Sequence, residues 1–171
     1  MTHSELQTDA KSKVGDVIIK VNLIEKTVKQ ILSRYISSPH TDFVNDVLLN
    51  NMITNLSVKI KLLRHILVEE GHPMDKKLQN SLHVLLNKRN VLAHSESLLD
   101  TWDDLVDVGF DYNNDAPPSM YGILETQEPD IPIYENDSVN YEKLSKVISD
   151  FEKHYKLCEE GLLEIEKKLF D

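Results

Sequence analysis

Cysteine occurs once in these 171 residues, at Cys158, so the chain can close no intrachain disulfide and build no cysteine-rich zinc site. Glycine and proline are sparse, at 5 and 6 residues, which disfavours a turn-rich β architecture and favours helices. No glycine-rich phosphate loop is present, which removes nucleotide binding of the P-loop or Rossmann kind. No stretch approaches the roughly 18 apolar residues of a membrane span, and the opening MTHSELQTDAKSK contains no apolar leader core. Basic charge is missing from residues 100–137, which hold 11 acidic residues and no Lys or Arg. The expectation is a single cytoplasmic domain over 1–171, long enough for one sizeable core and without a membrane partner.

The net charge of −10 conceals an uneven distribution. Residues 1–98 carry 13 Lys/Arg against 10 Asp/Glu, whereas residues 99–171 carry 6 against 19. Such an acidic block excludes a general nucleic-acid coat protein, which presents a basic field. It leaves room for a small basic cleft, with Lys59, Lys61, Arg64, Lys88 and Arg89 as candidates to line it; a solvated helix face explains Lys59 and Lys61 equally well.

What is present in quantity is helical periodicity. After a polar, flexible lead-in over 1–12, Val14, Val17, Val21, Ile24, Val28, Ile31 and Tyr35 alternate at three and four, predicting a helix from about Lys13 to Tyr35. Ser37, Ser38 and Pro39 break it. A second helix is predicted from Thr41 or Asp42 to Glu70, before Gly71, on the stripe Leu48, Met52, Leu56, Ile60, Leu63, Leu67. Pro73 and Asp75 open a third, ending near Ser95, and a fourth runs from about Ser138 to Phe170. These seams predict an all-α fold, a four-helix up-and-down bundle. Between helices three and four lies an acidic insertion over 99–137. Alternation in Leu105–Tyr112 and Met120–Leu124 predicts a short β-hairpin there, its charges keeping an edge strand soluble or, alternatively, binding a basic partner or shielding the cleft from nonspecific RNA.

The chemistry concentrates in Arg89-Asn90-Val91-Leu92-Ala93-His94. Leu78, Leu82, Leu85 and Leu92 mark an apolar stripe, and Arg89 stands where its next member should fall. Arg is the least suited side chain for such a position, because it stays charged and needs partners. The plainer reading is that it reaches the helix edge, pairs with a carboxylate and buries only its stem. Asn90 and His94 share a face, so a side-chain hydrogen bond between them is feasible. Arg89 and His94 lie about 140° apart around a regular helix. Convergence on one substrate therefore needs the reach of Arg, a distorted helix end, or a second copy of the chain.

Other groupings are weaker. His65, His72 and His83 show no ligand-like spacing with a carboxylate, and no metal site is expected. Ser95 and Ser97 lack a third partner for a hydrolase triad. Trp102, Tyr112 and Tyr121 could stack on bases, although packing against the helices is the commoner role of such aromatics.

An Arg followed by His late in a helix of a small helical protein resembles the HEPN (higher eukaryotes and prokaryotes nucleotide-binding) superfamily. Lys88-Arg89-Asn90-Val91-Leu92-Ala93-His94-Ser95 is close to the form its prokaryotic members often carry, with a polar residue directly after the Arg. The resemblance implies a metal-independent endoribonuclease without cofactor, acting as a toxin or defence effector and leaving 2′,3′-cyclic phosphate ends. In it Arg89 and His94 are the catalytic pair and Asn90 orients His94 or the phosphate, with Lys88, Lys61 and Glu96 as further substrate-binding or orienting residues, Glu96 by pairing with Arg89 or Lys88. It further implies a homodimer whose two motifs share a cleft, and a protein partner such as an antitoxin. One departure stands out: Glu96 occupies the place where some toxin members carry a tyrosine that a partner enzyme modifies, so that mode of regulation is not expected. The alternative is a non-catalytic adaptor or regulatory helical protein, in which the same residues serve structure or bind a ligand.

Overall fold

The structure, a computed structural model, describes residues 3–37, 39–94, 130–135 and 138–171. The described chain is overwhelmingly helical: α1 His3–Ile36, α2 Thr41–Phe43, a π-helical segment Val44–Leu48, α3 Leu56–Glu69, α4 Lys76–His94, a hairpin of β1 Asp130–Glu135 and β2 Ser138–Lys143, and α5 Leu144–Phe170. None of the described helices is long and apolar enough to cross a membrane. Two compact units divide the chain. The first comprises Met1–Ile18 with Asn87–Phe151, the second Ile19–Leu86 with Glu152–Asp171.

The second unit holds most of the core: Val21, Ile24, Val28, Ile31 and Leu32 of α1, Leu56, Ile60, Leu63 and Leu67 of α3, Leu78, Leu82 and Leu85 of α4, and Cys158, Leu162 and Ile165 of α5. Leu48 and Met52, expected to continue the α3 stripe, are exposed, Met52 at 95%. The predicted long second helix is interrupted because polar side chains capture its backbone. Asn50 donates to the Asp46 carbonyl and accepts from Met52 N–H, and Thr54 donates to the Leu48 carbonyl. Asn55 then caps α3 afresh, accepting from Val58 N–H at 3.1 Å.

Direction follows from paired contacts. Lys20 meets Glu152 and Arg34 meets Glu166 at one constant offset of 132 residues, so α1 and α5 run the same way. Glu25 meets Lys59 and Tyr35 meets Glu70 at offsets of 34 and 35, so α3 also runs with α1. Ser81 meets His154 and Leu78 packs on Gly161, so α4 opposes α5. The 41–51 segment travels back along α1, where Leu49, Asn50 and Asn51 share a groove with Asn22, Glu25, Lys26 and Lys29. That return leg supplies a reversal the up-and-down reading lacked, and α1 and α5 are parallel where it expected them antiparallel.

Both ends of the α3–α4 turn match expectation. Gly71, at φ +75°, ends α3 in a Schellman arrangement, with His72 N–H on the Leu67 carbonyl at 2.8 Å and Gly71 N–H on the Val68 carbonyl at 3.1 Å. Asp75 starts α4 by accepting from Lys77 N–H at 3.1 Å.

Lys59, read from sequence as a solvated or cleft-lining lysine, is fully buried. Its ammonium donates to Glu25 at 2.6 Å and to the Asn51 side-chain oxygen. Removing one partner of a buried ion pair strands the other charge, at a cost of about 3–5 kcal/mol, whereas apolar replacement of both partners together is often neutral. Glu25→Ala should therefore lower unfolding stability by about 3 kcal/mol or more, and the double variant Glu25→Leu/Lys59→Met by much less. Urea denaturation checks this, and equal losses in the two variants would remove the stranded charge as the cause.

In the first unit α1 extends to His3, through residues read from sequence as a flexible lead-in. Ala10 is buried there, and Asp9 pairs with Lys13 at 2.6 Å. Val14 and Val17 of α1, Leu92 of α4, Ile131 of β1, and Leu144, Val147 and Phe151 of α5 complete its buried set. The strands pair antiparallel from Asp130↔Lys143 to Glu135↔Ser138. Ser138–Lys143 is thus strand where the sequence reading began its last helix. The hairpin expected between Leu105 and Leu124 lies outside the described residues.

Candidate functional site

The last turns of α4 carry the motif. Leu85 and Leu92 are buried, and between them Arg89 is exposed. Position 89 falls about 40° and about 60° around the axis from those two leucines, within the arc that Leu78, Leu82, Leu85 and Leu92 span. From there a long side chain turns outward. Its guanidinium Nη1 donates to the Asn90 side-chain oxygen at 3.0 Å. Asn90 is exposed and holds Arg89. Among the described residues no carboxylate pairs with Arg89. His94 is the final residue of α4, and its side chain lies outside the description, as do Glu96, Ser95, Ser97, Trp102, Tyr112 and Tyr121.

Lys88 does have a carboxylate. Its ammonium meets Glu142 Oε2 at 3.1 Å, and Lys146 meets the other oxygen of the same carboxylate at 2.8 Å. Lys88 and Glu142 are largely shielded, at 16% and 23% side-chain exposure, while Lys146 remains 64% exposed. Three elements thereby converge on one carboxylate: α4 beside Arg89, the end of β2, and the first turn of α5. Sequence reasoning missed Glu142 because it placed Ser138–Lys143 in a helix. The signal was present: Ile131-Pro132-Ile133-Tyr134, then Asn136-Asp137, then Ser138-Val139-Asn140-Tyr141 reads as two short runs about a turn. Pro132 argues against a helix there and suits an edge strand.

Hydrogen bonds from Lys146 and then Lys88 hold the Glu142 carboxyl below its usual range, against a smaller opposing effect of burial. The same contact raises the Lys146 ammonium above its usual value. A carboxyl depressed on folding contributes stability that is present above the ordinary carboxylate range and lost as pH falls through its folded value. The melting temperature of Glu142→Gln should accordingly lie below that of the wild type at neutral pH, and the gap should close in acid. A gap that persists in acid would mean that Glu142 acts through shape rather than charge.

Lys61, the remaining candidate, belongs to the second unit. It is exposed on α3 and lines, with Arg64 and His83, a hollow of about 30 Å³, room for a few water molecules and too small for a nucleotide. His65, His72 and His83 are all exposed, and no group of three or more His, Cys, Asp or Glu among the described residues could hold a metal ion. Burial pushes the Cys158 thiol up to about 12, which removes it as a nucleophile. Half-buried His154 contacts Ser81 at 3.0 Å, but Ser81 is only 1% exposed and out of a substrate's reach.

Comparison with protein-family models, with curated proteins and with solved structures finds no match.

Proposed function

We propose that this chain is a metal-independent endoribonuclease of HEPN type, acting as a homodimer in a toxin or defence setting. The observation that carries the reading is the state of Arg89: exposed at the end of α4, steadied by Asn90, and unpaired with any carboxylate among the described residues. An arginine left open to solvent presents a planar fork of donors to a phosphate.

The chemistry uses the RNA's own 2′-hydroxyl. Its oxygen attacks phosphorus, the bond to the 5′-oxygen breaks, and a 2′,3′-cyclic phosphate forms. The 2′-hydroxyl proton leaves to a base while the departing 5′-oxygen gains one. His94 moves a proton at one of these oxygens. Arg89 binds the scissile phosphate and stabilises its developing charge. Asn90 fixes the guanidinium plane. DNA, lacking the 2′-hydroxyl, is inert. The reading carries with it a helical bundle with the acidic 99–137 segment inserted after α4.

His94→Ala and Arg89→Ala should each lower cleavage of single-stranded RNA by about 10²-fold or more, with little change in melting temperature. Arg89→Lys should rescue poorly, since an ammonium lacks the bidentate fork. Cleavage should persist in EDTA, and light scattering should give twice the chain mass of 19.7 kDa. Wild-type protein that leaves varied RNAs intact, or a His94→Ala protein that unfolds, would overturn the nuclease reading in favour of the adaptor.

A further inference from the structure

Among the described residues Glu142 is the carboxylate that meets the basic end of α4, and it takes the lysine immediately before Arg89. We infer that Glu142 is an affinity-setting residue that competes with the RNA phosphate for Lys88. This rests on the ribonuclease reading and names how its substrate contact is tuned.

The geometry gives the competition its form. Lys88 is one residue from Arg89, so a strand whose scissile phosphate lies on Arg89 brings a neighbouring phosphate within reach of the Lys88 stem. In the free protein that ammonium is neutralised by Glu142 at 3.1 Å. The same carboxylate also holds Lys146, at 2.8 Å, so it keeps one cationic partner when Lys88 leaves. Release of Lys88 therefore does not strand a charge, and the exchange of carboxylate for phosphate is close to balanced. Partial shielding of Lys88 and Glu142 makes their pair stronger than a fully exposed one, whose strength is ordinarily modest. RNA binding in the wild type is correspondingly weakened, and only a polyanion with several phosphates displaces Glu142.

The acidic balance of the chain's second half fits this arrangement. A residue that occupies the site's lysine until a phosphate replaces it raises the threshold against isolated anions and short fragments. Glu142 acts through Lys88 and is a positioning residue. It touches no reacting atom.

The test is binding of a short 2′-O-methyl oligoribonucleotide, which cannot be cleaved because its attacking hydroxyl is blocked. Fluorescence anisotropy across a salt series is compared for wild type, Glu142→Gln, Lys88→Met and the double variant. Glu142→Gln should bind about two- to fivefold tighter, and the slope of log K against log salt should steepen by about 0.7, one added contact to a single strand. The gain should largely vanish in the Lys88→Met background, a coupling that a purely structural tie would not produce. On cleavable RNA, Glu142→Gln should lower KM and leave kcat nearly unchanged. Equal affinity and slope in wild type and Glu142→Gln, with both folded by circular dichroism, would overturn the competition while leaving the nuclease reading intact. So would weaker binding by Glu142→Gln. Coupled binding without any cleavage would support the competition and sink the nuclease. Absence of binding in all four proteins would overturn both.

Discussion

An ammonium group is among the most expensive things to place where no water reaches it, and Lys59 is placed there completely. Its position is tolerable only because Glu25 and Asn51 both accept from it. Those acceptors come from the middle of α1 and from the turn that precedes α3. The ion pair therefore fixes the chain on its return past α1, at the point where it must reverse once more. Every later direction depends on that point: α3 runs with α1, α4 runs back, and α5 runs with α1 again. The polar capture of backbone by Asn50, Thr54 and Asn55 makes the turn possible, and the buried ion pair holds it in place.

Much of the helical content was legible because apolar residues recur at helical spacing, and most of the buried residues of α1, α3 and α4 are ones the stripes named, with Ala10, Leu32, Lys59 and Ser81 buried beside them. Gly71 and Asp75 announced their ends by their own conformational preferences. The break at 49–55 was not legible by the same means. Leu48 and Met52 fit a helical period, and periodicity cannot register that asparagine and threonine side chains are competing for the carbonyls between them. Lys59 was misread for a related reason: a lysine in an apolar helix looks like a solvated one until its partner, 34 residues away, is brought to it. The β-hairpin had a strand alternation, but acidic residues and a long adjoining helix masked it.

At the candidate site the local and the distant separate in the same way. That Arg89 and Asn90 would sit together late in a helix could be read from six residues. That Arg89 would face outward required knowing which way its flanking leucines turn. That Lys88 would arrive already neutralised required a strand from another part of the chain. The resulting surface graduates its cations: one open to solvent, one shared with a carboxylate, and one at the foot of α5 that shares the same carboxylate.

The lone thiol of Cys158 has a use that lies apart from any chemistry of the site. It is fully covered in the second unit, and its deprotonation is suppressed by that covering. Because no other sulfhydryl competes for a reagent, a single mass increment on the intact chain would act as a clock for excursions that expose the interior of α5. The molecule thus carries a built-in reporter of its own breathing, at a position where no label had to be introduced.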